Sequence, residues 1–342
     1  MTTKNLYIGW DVGAWHRKPI KGKSCDAICL IQEIKTNQVN GPIYKIIGHA
    51  RENLSDSIQK LFLNDDLENS LEGLLKFWVK LCLAEQNINP EELEGKIKEI
   101  LDVSTITIAI DAPLGWSIHF QNLLKTKRNA WNGGNIYRGK EIESPILFRK
   151  TERNISNDGH DPKSAVTHMI GSQSTKGLAF VRSRCFKNGF CRWKSSYRDT
   201  IVIETYPKAC YSSKSFWRYV NNLNLDQQYK TDTSEDDSFD AVVCACLALI
   251  YRKKEFENIQ INYPTFSHRN FKSEGWIFVP KRQKEDYQTE DTNKCVDSNS
   301  SHNQTFQDSV GMFLKRCEEK RKQRDKKREQ RDKKREQRMA GN

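Results

Sequence analysis

The run Thr105, Ile106, Thr107, Ile108, Ala109, Ile110, followed directly by Asp111, Ala112, Pro113, Leu114, Gly115 and Trp116, constrains this chain most. A short apolar, β-branched run closed by a Pro/Gly turn is too short for a helix and predicts a strand buried on both faces. Such a strand belongs to an open α/β sheet. It delivers Asp111 to its carboxyl end, where sheets of this kind place their ligands. The alternative is that Asp111 merely caps the turn or the next helix.

Three further stretches have the same design. Leu6 to Asp11 (LYIGWD) is an apolar strand running into an aspartate, and Thr200 to Pro207 (TIVIETYP) leads into Glu204. Asp236 to Leu249 (DDSFDAVVCACLAL) predicts an apolar helix whose first turn carries Asp237 and Asp240, three apart and on one face. Strand ends at one edge of a sheet lie close together. Acids gathered there repel one another and raise each other's pKa, so their coexistence points to bound divalent cations. Mg²⁺ or Mn²⁺, which take oxygen ligands, are the expected cofactors.

The motifs IGWDVG, IAIDAPLGW, FRKTER, VIETYPKACY, DDSFDAVVCACLAL and EGWIFVP follow one another along the chain. In that order they resemble domain-of-unknown-function family 429, predicted nucleases with an RNase H-like fold, over about Met1 to Pro280. The resemblance implies a metal-binding cluster from Asp11, Asp111 and an acid of the Asp237/Asp240 helix, with Glu204 nearby. Arg149, Thr151, Glu152 and Arg153 of FRKTER also resemble a family motif, although Glu152 stands where an aspartate is expected.

The element order fits a mixed sheet. Strands at Asn5 to Asp11, Ala27 to Ile34 and Ile43 to Ala50 suit an antiparallel meander. Leu67, Leu71, Leu74, Leu75, Trp78 and Leu81 recur at helical spacing between Asp66 and Gln86, and a second helix is expected over Pro90 to Leu101. The Asp11 and Asp111 strands would then be parallel neighbours. The expectation is an RNase H-like α/β domain over residues 1–282, with an insertion at about 117–199 and a last strand or docking segment at Glu274 to Pro280.

The apolar-poor stretch 283–309 predicts a disordered linker, and 310–342 a basic charged helix or tail ending in two copies of RDKKREQ. Of the net charge of +12, Lys315 to Arg338 carries +8, leaving about +4 for the remainder. No apolar run suggests a membrane span or a secretory signal, and the scattered cysteines, Cys185 and Cys191 included, read as reduced thiols of a cytoplasmic protein.

The insertion interleaves basic and aromatic residues, among them Lys125, Arg128, Trp131, Tyr137, Arg149, Lys150, Arg153, Trp193 and Arg198. That pattern suits a groove tracking phosphates, with bases stacked on rings, and makes DNA or RNA the expected partner. A solvated lid is the alternative. Arg149, Lys150, Arg153 and Lys208 are the candidate nucleic-acid contacts, and His16 is a candidate proton shuttle ahead of His119, His160 and His168. Asn132 to Asn135 reads as a turn. A sugar-kinase or actin-like ATPase would need a second copy of the strand-Asp pattern, which is absent from the sequence.

The expected function is two-metal phosphodiester hydrolysis by a nuclease-like enzyme, with Asp11 as bridging ligand and Asp111, Asp240 and Asp237 completing the sites. Glu204 is a ligand, a water-orienting residue or a partner of Lys208. A non-catalytic nucleic-acid-binding protein on the same fold is the second expectation.

Overall fold

The computed structural model describes residues 4–15, 25–34, 42–63, 67–86, 88–125, 141–158, 160–168, 170–189, 192–211, 213–223, 225–226, 236–253, 262, 264 and 274–281. Strands Asn5–Asp11 (β1), Asp26–Ile34 (β2) and Ile43–Glu52 (β3) form the antiparallel meander that the sequence predicts. Helices Ser55–Leu63 (α1), Leu67–Leu83 (α2) and Pro90–Leu101 (α3) then lead to strand Thr105–Asp111 (β4). Asn89 starts α3 by accepting the Glu91 N–H, with Pro90 at the first helical position, where its missing N–H costs nothing.

Beyond β4 come helices Ile118–Lys125 (α4), Lys150–Asn157 (α5) and Gly171–Val181 (α6) and the short strands Lys187–Asn188 (β5) and Trp193–Ser195 (β6). Strand Thr200–Thr205 (β7), helix Lys214–Asn222 (α7), strand Leu225–Asp226 (β8), helix Asp236–Lys253 (α8) and strand Ile277–Phe278 (β9) complete the order. The sheet runs β5-β6-β7-β4-β1-β2-β3-β8, with β9 beside the far end of β7. It is a mixed, open sheet: β4 is parallel to both β1 and β7, and the meander is antiparallel.

Strand alternation divides the core. Leu6, Ile8 and Trp10 of β1 and Ile106, Ile108 and Ile110 of β4 pack on the face covered by α2, α3 and α6. Trp10 meets Trp78 and Phe180 there, each at 5.4 Å between ring centroids. Tyr7, Ala109, Ile201 and Ile203 point to the other face, where α8 lies with Ala241 to Tyr251 buried throughout. Gly9 permits the contact: a Cβ there would stand 1.9 Å from the Ala241 carbonyl oxygen and 2.4 Å from the Ala245 nitrogen. The first turn of α8 therefore sits over the end of β1.

The insertion is more integral than a solvated lid. Phe180 of α6 is fully buried in the aromatic cluster, and β6 extends the sheet by pairing antiparallel with β7, placing Trp193 in the core. His16, the segment 126–140 with its basic and aromatic residues, Cys191, the linker and the basic tail lie outside the described residues. Among the described residues, no helix is long and apolar enough to cross a membrane. Cys29, Cys82, Cys210, Cys244 and Cys246 are buried, and burial pushes Cys246 up to about 12, so it packs as a neutral hydrophobe.

Candidate metal centre

The parallel register of β1 and β4 pairs Asp11 directly with Asp111. By alternation both follow residues that face α8: Tyr7 and Gly9 before Asp11, Thr107 and Ala109 before Asp111. Asp240, in the first turn of α8, completes the group at 8 % exposure. Tyr211 donates its hydroxyl to Asp240 Oδ1.

These three acids are held in the wrong charge environment for carboxylates. Burial pushes the Asp11 carboxyl well above its ordinary range, and Asp240, Asp111, Asp237 and Asp26 raise it further. Asp240 is displaced the same way, by burial and then by Asp111, with Lys208 opposing. Asp111 is pushed up to about 7 by burial, with Lys208 lowering it and Glu204 raising it. The group titrates as a unit and holds protons at a pH where isolated aspartates have none. Cys244 lies close enough for the three acids to raise its thiol, which burial already keeps neutral, and Thr205 Oγ1 stands 3.4 Å from its sulfur.

Excess negative charge with oxygen-only donors suits a hard divalent cation. Among the described residues, no three His, Cys, Asp or Glu side chains enclose an ion as they lie. The acids are neighbours without forming a closed cage. Asp237, expected as a further ligand, is held by Arg51 at the end of β3, 2.9 Å from Nη2 to Oδ2, both partly exposed. Lys208 is exposed on the one-turn helix Pro207–Ala209 that follows β7, and its charge reaches both Asp111 and Asp240.

Glu204 departs from its expected place. Val202 of β7 packs in the α2 face, so Glu204, two residues on, points away from α8. There Arg149 grips it through Nη1 to Oε2 at 2.9 Å and Nη2 to Oε1 at 2.5 Å, while the Leu114 N–H donates to Oε2 at 2.9 Å. Both oxygens are engaged. Glu204 anchors the turn after Asp111 through these bonds, and its charge still raises the Asp111 carboxyl.

Arg149 likewise departs from its expected role as a phosphate contact. Its side chain is 2 % exposed, and it also donates from Nε to Glu152 Oε1 at 2.9 Å and from Nη1 to the Glu274 carbonyl at 2.9 Å. A guanidinium with these bonds has nothing left for a phosphate. Glu152 returns the contact by accepting the Arg149 backbone N–H at the start of α5. Lys150 remains exposed and Arg153 half-buried, so these two keep their candidacy. His119 is exposed, whereas His168 is turned inward, its Nδ1 accepting the Ser164 N–H at 3.0 Å and its ring against Phe148.

Several site residues have no early signal in the sequence. Asp26 accepts from Trp10 Nε1, the Gly13 N–H and the Leu54 N–H, and pairs at 2.8 Å with Lys176, which is fully buried. Lys176 also donates to the Ala14 carbonyl at 3.0 Å, so the pair fixes the loop that follows Asp11. Glu274 accepts the Ile118 N–H at 2.8 Å and the Lys150 N–H at 3.1 Å, clipping the starts of α4 and α5 together. Gly275, at φ +78°, carries the chain past Arg149 and Glu204 where a side chain would crowd both. A lone Asp at the start of an apolar strand and a Lys within a helix read as ordinary surface residues until the fold is known. No protein-family model, curated protein or solved structure matches the chain.

Proposed function

We propose that this protein is a metal-dependent, nuclease-like phosphodiesterase of RNase H-like design, acting on nucleic acid. The observation that carries the reading is the register pairing of Asp11 with Asp111 near Asp240, three carboxyls that burial pushes above the ordinary aspartate range. Asp11, Asp111 and Asp240 would hold Mg²⁺ or Mn²⁺, with Asp237, paired to Arg51, a further candidate ligand. When bound, such ions supply Lewis-acid activation of water and neutralise charge on the leaving oxygen in phosphodiester hydrolysis.

The chain's own groups do the rest. Deprotonation of the three acids is the entry condition for a cation, since protons and cation compete for the same oxygens. Tyr211 orients Asp240 through its hydroxyl. Lys208, exposed beside two of the acids, is placed to draw a phosphate toward them. Arg149, through Glu204 and Glu274, holds the turn after Asp111 and the starts of α4 and α5.

The test is cleavage of labelled single- and double-stranded DNA and RNA with Mg²⁺ or Mn²⁺ against chelator. Chelator-sensitive cleavage lost in Asp11→Asn and Asp111→Asn supports the assignment, and cleavage persisting in both variants refutes it. A second reading, a nucleic-acid-binding protein that does not cleave, is favoured by one observation: two of the five expected acids are already engaged by arginines. Salt-sensitive binding without turnover would decide for it.

A further inference from the structure

Each of the two aspartate-bearing strands is followed, within five residues, by an accessible tryptophan. Trp15 lies four residues beyond Asp11 and is 36 % exposed; Trp116 lies five beyond Asp111 and is half-buried. Because β1 and β4 are adjacent and pair Asp11 with Asp111, the two loops leave the sheet side by side.

Neither indole is a stray surface residue. The Trp15 backbone N–H donates to Ser172 Oγ at 2.8 Å, its Nε1 donates to Thr175 Oγ1 at 2.9 Å, and the Lys176 ammonium stands 5.6 Å from its ring centroid. All three partners belong to α6. Trp116 stacks on Phe120 of α4 at 5.2 Å and 14° between planes, and its carbonyl accepts from Gln121 Nε2 at 2.6 Å. The Trp116 loop also rests on α6, through Ser174 Oγ donating to the Pro113 carbonyl at 2.8 Å. One helix of the insertion thus braces both loops, and each ring is fastened on one side while remaining accessible.

Trp15 has a hydrogen bond to its indole nitrogen and a cation against its ring, and Trp116 has a stacked ring on one face, so both are held in place without being buried in the core. A pre-fastened ring loses little conformational freedom when a flat partner stacks on it, so the contact energy goes into affinity. We propose that Trp15 and Trp116 form a stacking platform for unpaired nucleobases flanking the scissile phosphate, so that the preferred substrate is single-stranded nucleic acid or a frayed end. In a duplex the base faces are occupied by their neighbours and cannot reach the rings. This inference rests on the reading of Asp11, Asp111 and Asp240 as a phosphodiester-cleaving group.

The experiment is fluorescence anisotropy of a labelled oligothymidylate and of a duplex of equal length, with full-length protein in chelator, so that neither metal nor cleavage enters. Stacking is worth about 1–3 kcal/mol per base, which corresponds to a loss of about 5- to 150-fold in oligothymidylate affinity for Trp15→Ala and for Trp116→Ala. Duplex affinity should stay the same. Trp15→Phe and Trp116→Phe, which keep a ring, should recover most of the loss, separating stacking from damage to the fold. Equal wild-type affinity for oligothymidylate and duplex, or unchanged affinity in both Ala variants, overturns the platform. If metal-dependent cleavage persists in that case, the phosphodiesterase reading stands without it. Failure of wild type to bind or cleave either polymer overturns both.

Discussion

The molecule buries carboxylates in two neighbouring places and treats them oppositely. Glu204 and Glu152 meet Arg149, and Glu274 meets two backbone N–H groups at helix starts, so every charge in that network has a partner. Asp11, Asp111 and Asp240 lie together, with Lys208 opposing the charge of Asp111 and Asp240. The first arrangement is architecture, because matched buried charge is fixed in place and costly to break. The second leaves a deficit of positive charge that a ligand can fill. Within one site, the matched acids hold the frame and the unmatched ones are available for chemistry.

The sharpest way to break this comparison is to unbalance the matched network. Arg149→Met should cost about 3–5 kcal/mol in urea unfolding, because Glu204 and Glu152 are left buried without their cation. Arg149→Lys should recover little, since an ammonium lacks the guanidinium's forked geometry. A loss under about 1 kcal/mol would place the network on a par with exposed ion pairs.

Filling the deficit comes next. At about 100-fold over its dissociation constant, Mn²⁺ should stabilise the protein by about 2.7 kcal/mol at pH 8, read as a rise in Tm. The effect should shrink toward pH 5, where protons hold the site. The metal-free protein should show the matching pH dependence. The Asp111 carboxyl is pushed up to about 7 from an ordinary value of 3.8, so between these values the folded state binds more protons than the unfolded one. Stability therefore falls as pH rises through that window, and Asp11 and Asp240, displaced in the same direction, add to the fall. Stability rising across that range would show that the acids have partners.

Asp111→Asn removes one member of the repelling group and should stabilise the metal-free protein at pH 8 by about 1–2 kcal/mol, while abolishing the Mn²⁺ shift. The smallest effect belongs to Arg51, whose pair with Asp237 is partly exposed. Arg51→Ala should change stability by less than about 1 kcal/mol. The same substitution should tighten Mn²⁺ binding if Asp237 is a ligand, an outcome that titration calorimetry reads directly.

The apolar run before Asp111, the short run before Asp11 and the Asp240 helix were all legible in the sequence, because strand and helix periodicities are local properties. The mixed α/β class and the parallel pairing of β1 with β4 followed from element order. The displacement of Glu204 from the acid group was legible in principle, since Val202 and Glu204 share a parity along β7, but parity assigns a face only once the strand's neighbours are known. Helices α1 and α7, nine residues each, and strand β8, two residues, were too short to announce themselves.

What the sequence determined by itself was which residues end which elements, and hence that several acids would gather at one edge. Which of those acids would be free was decided by tertiary structure alone. Arg149 lies 55 residues from Glu204, Asp26 lies 150 from Lys176, and Arg51 lies 186 from Asp237. A local pattern carries no information about partners at such separations. The physical reason is that a buried charge takes its character from whatever the fold sets against it: an arginine makes Glu204 a strut, while burial and neighbouring carboxylates push the Asp11 carboxyl up.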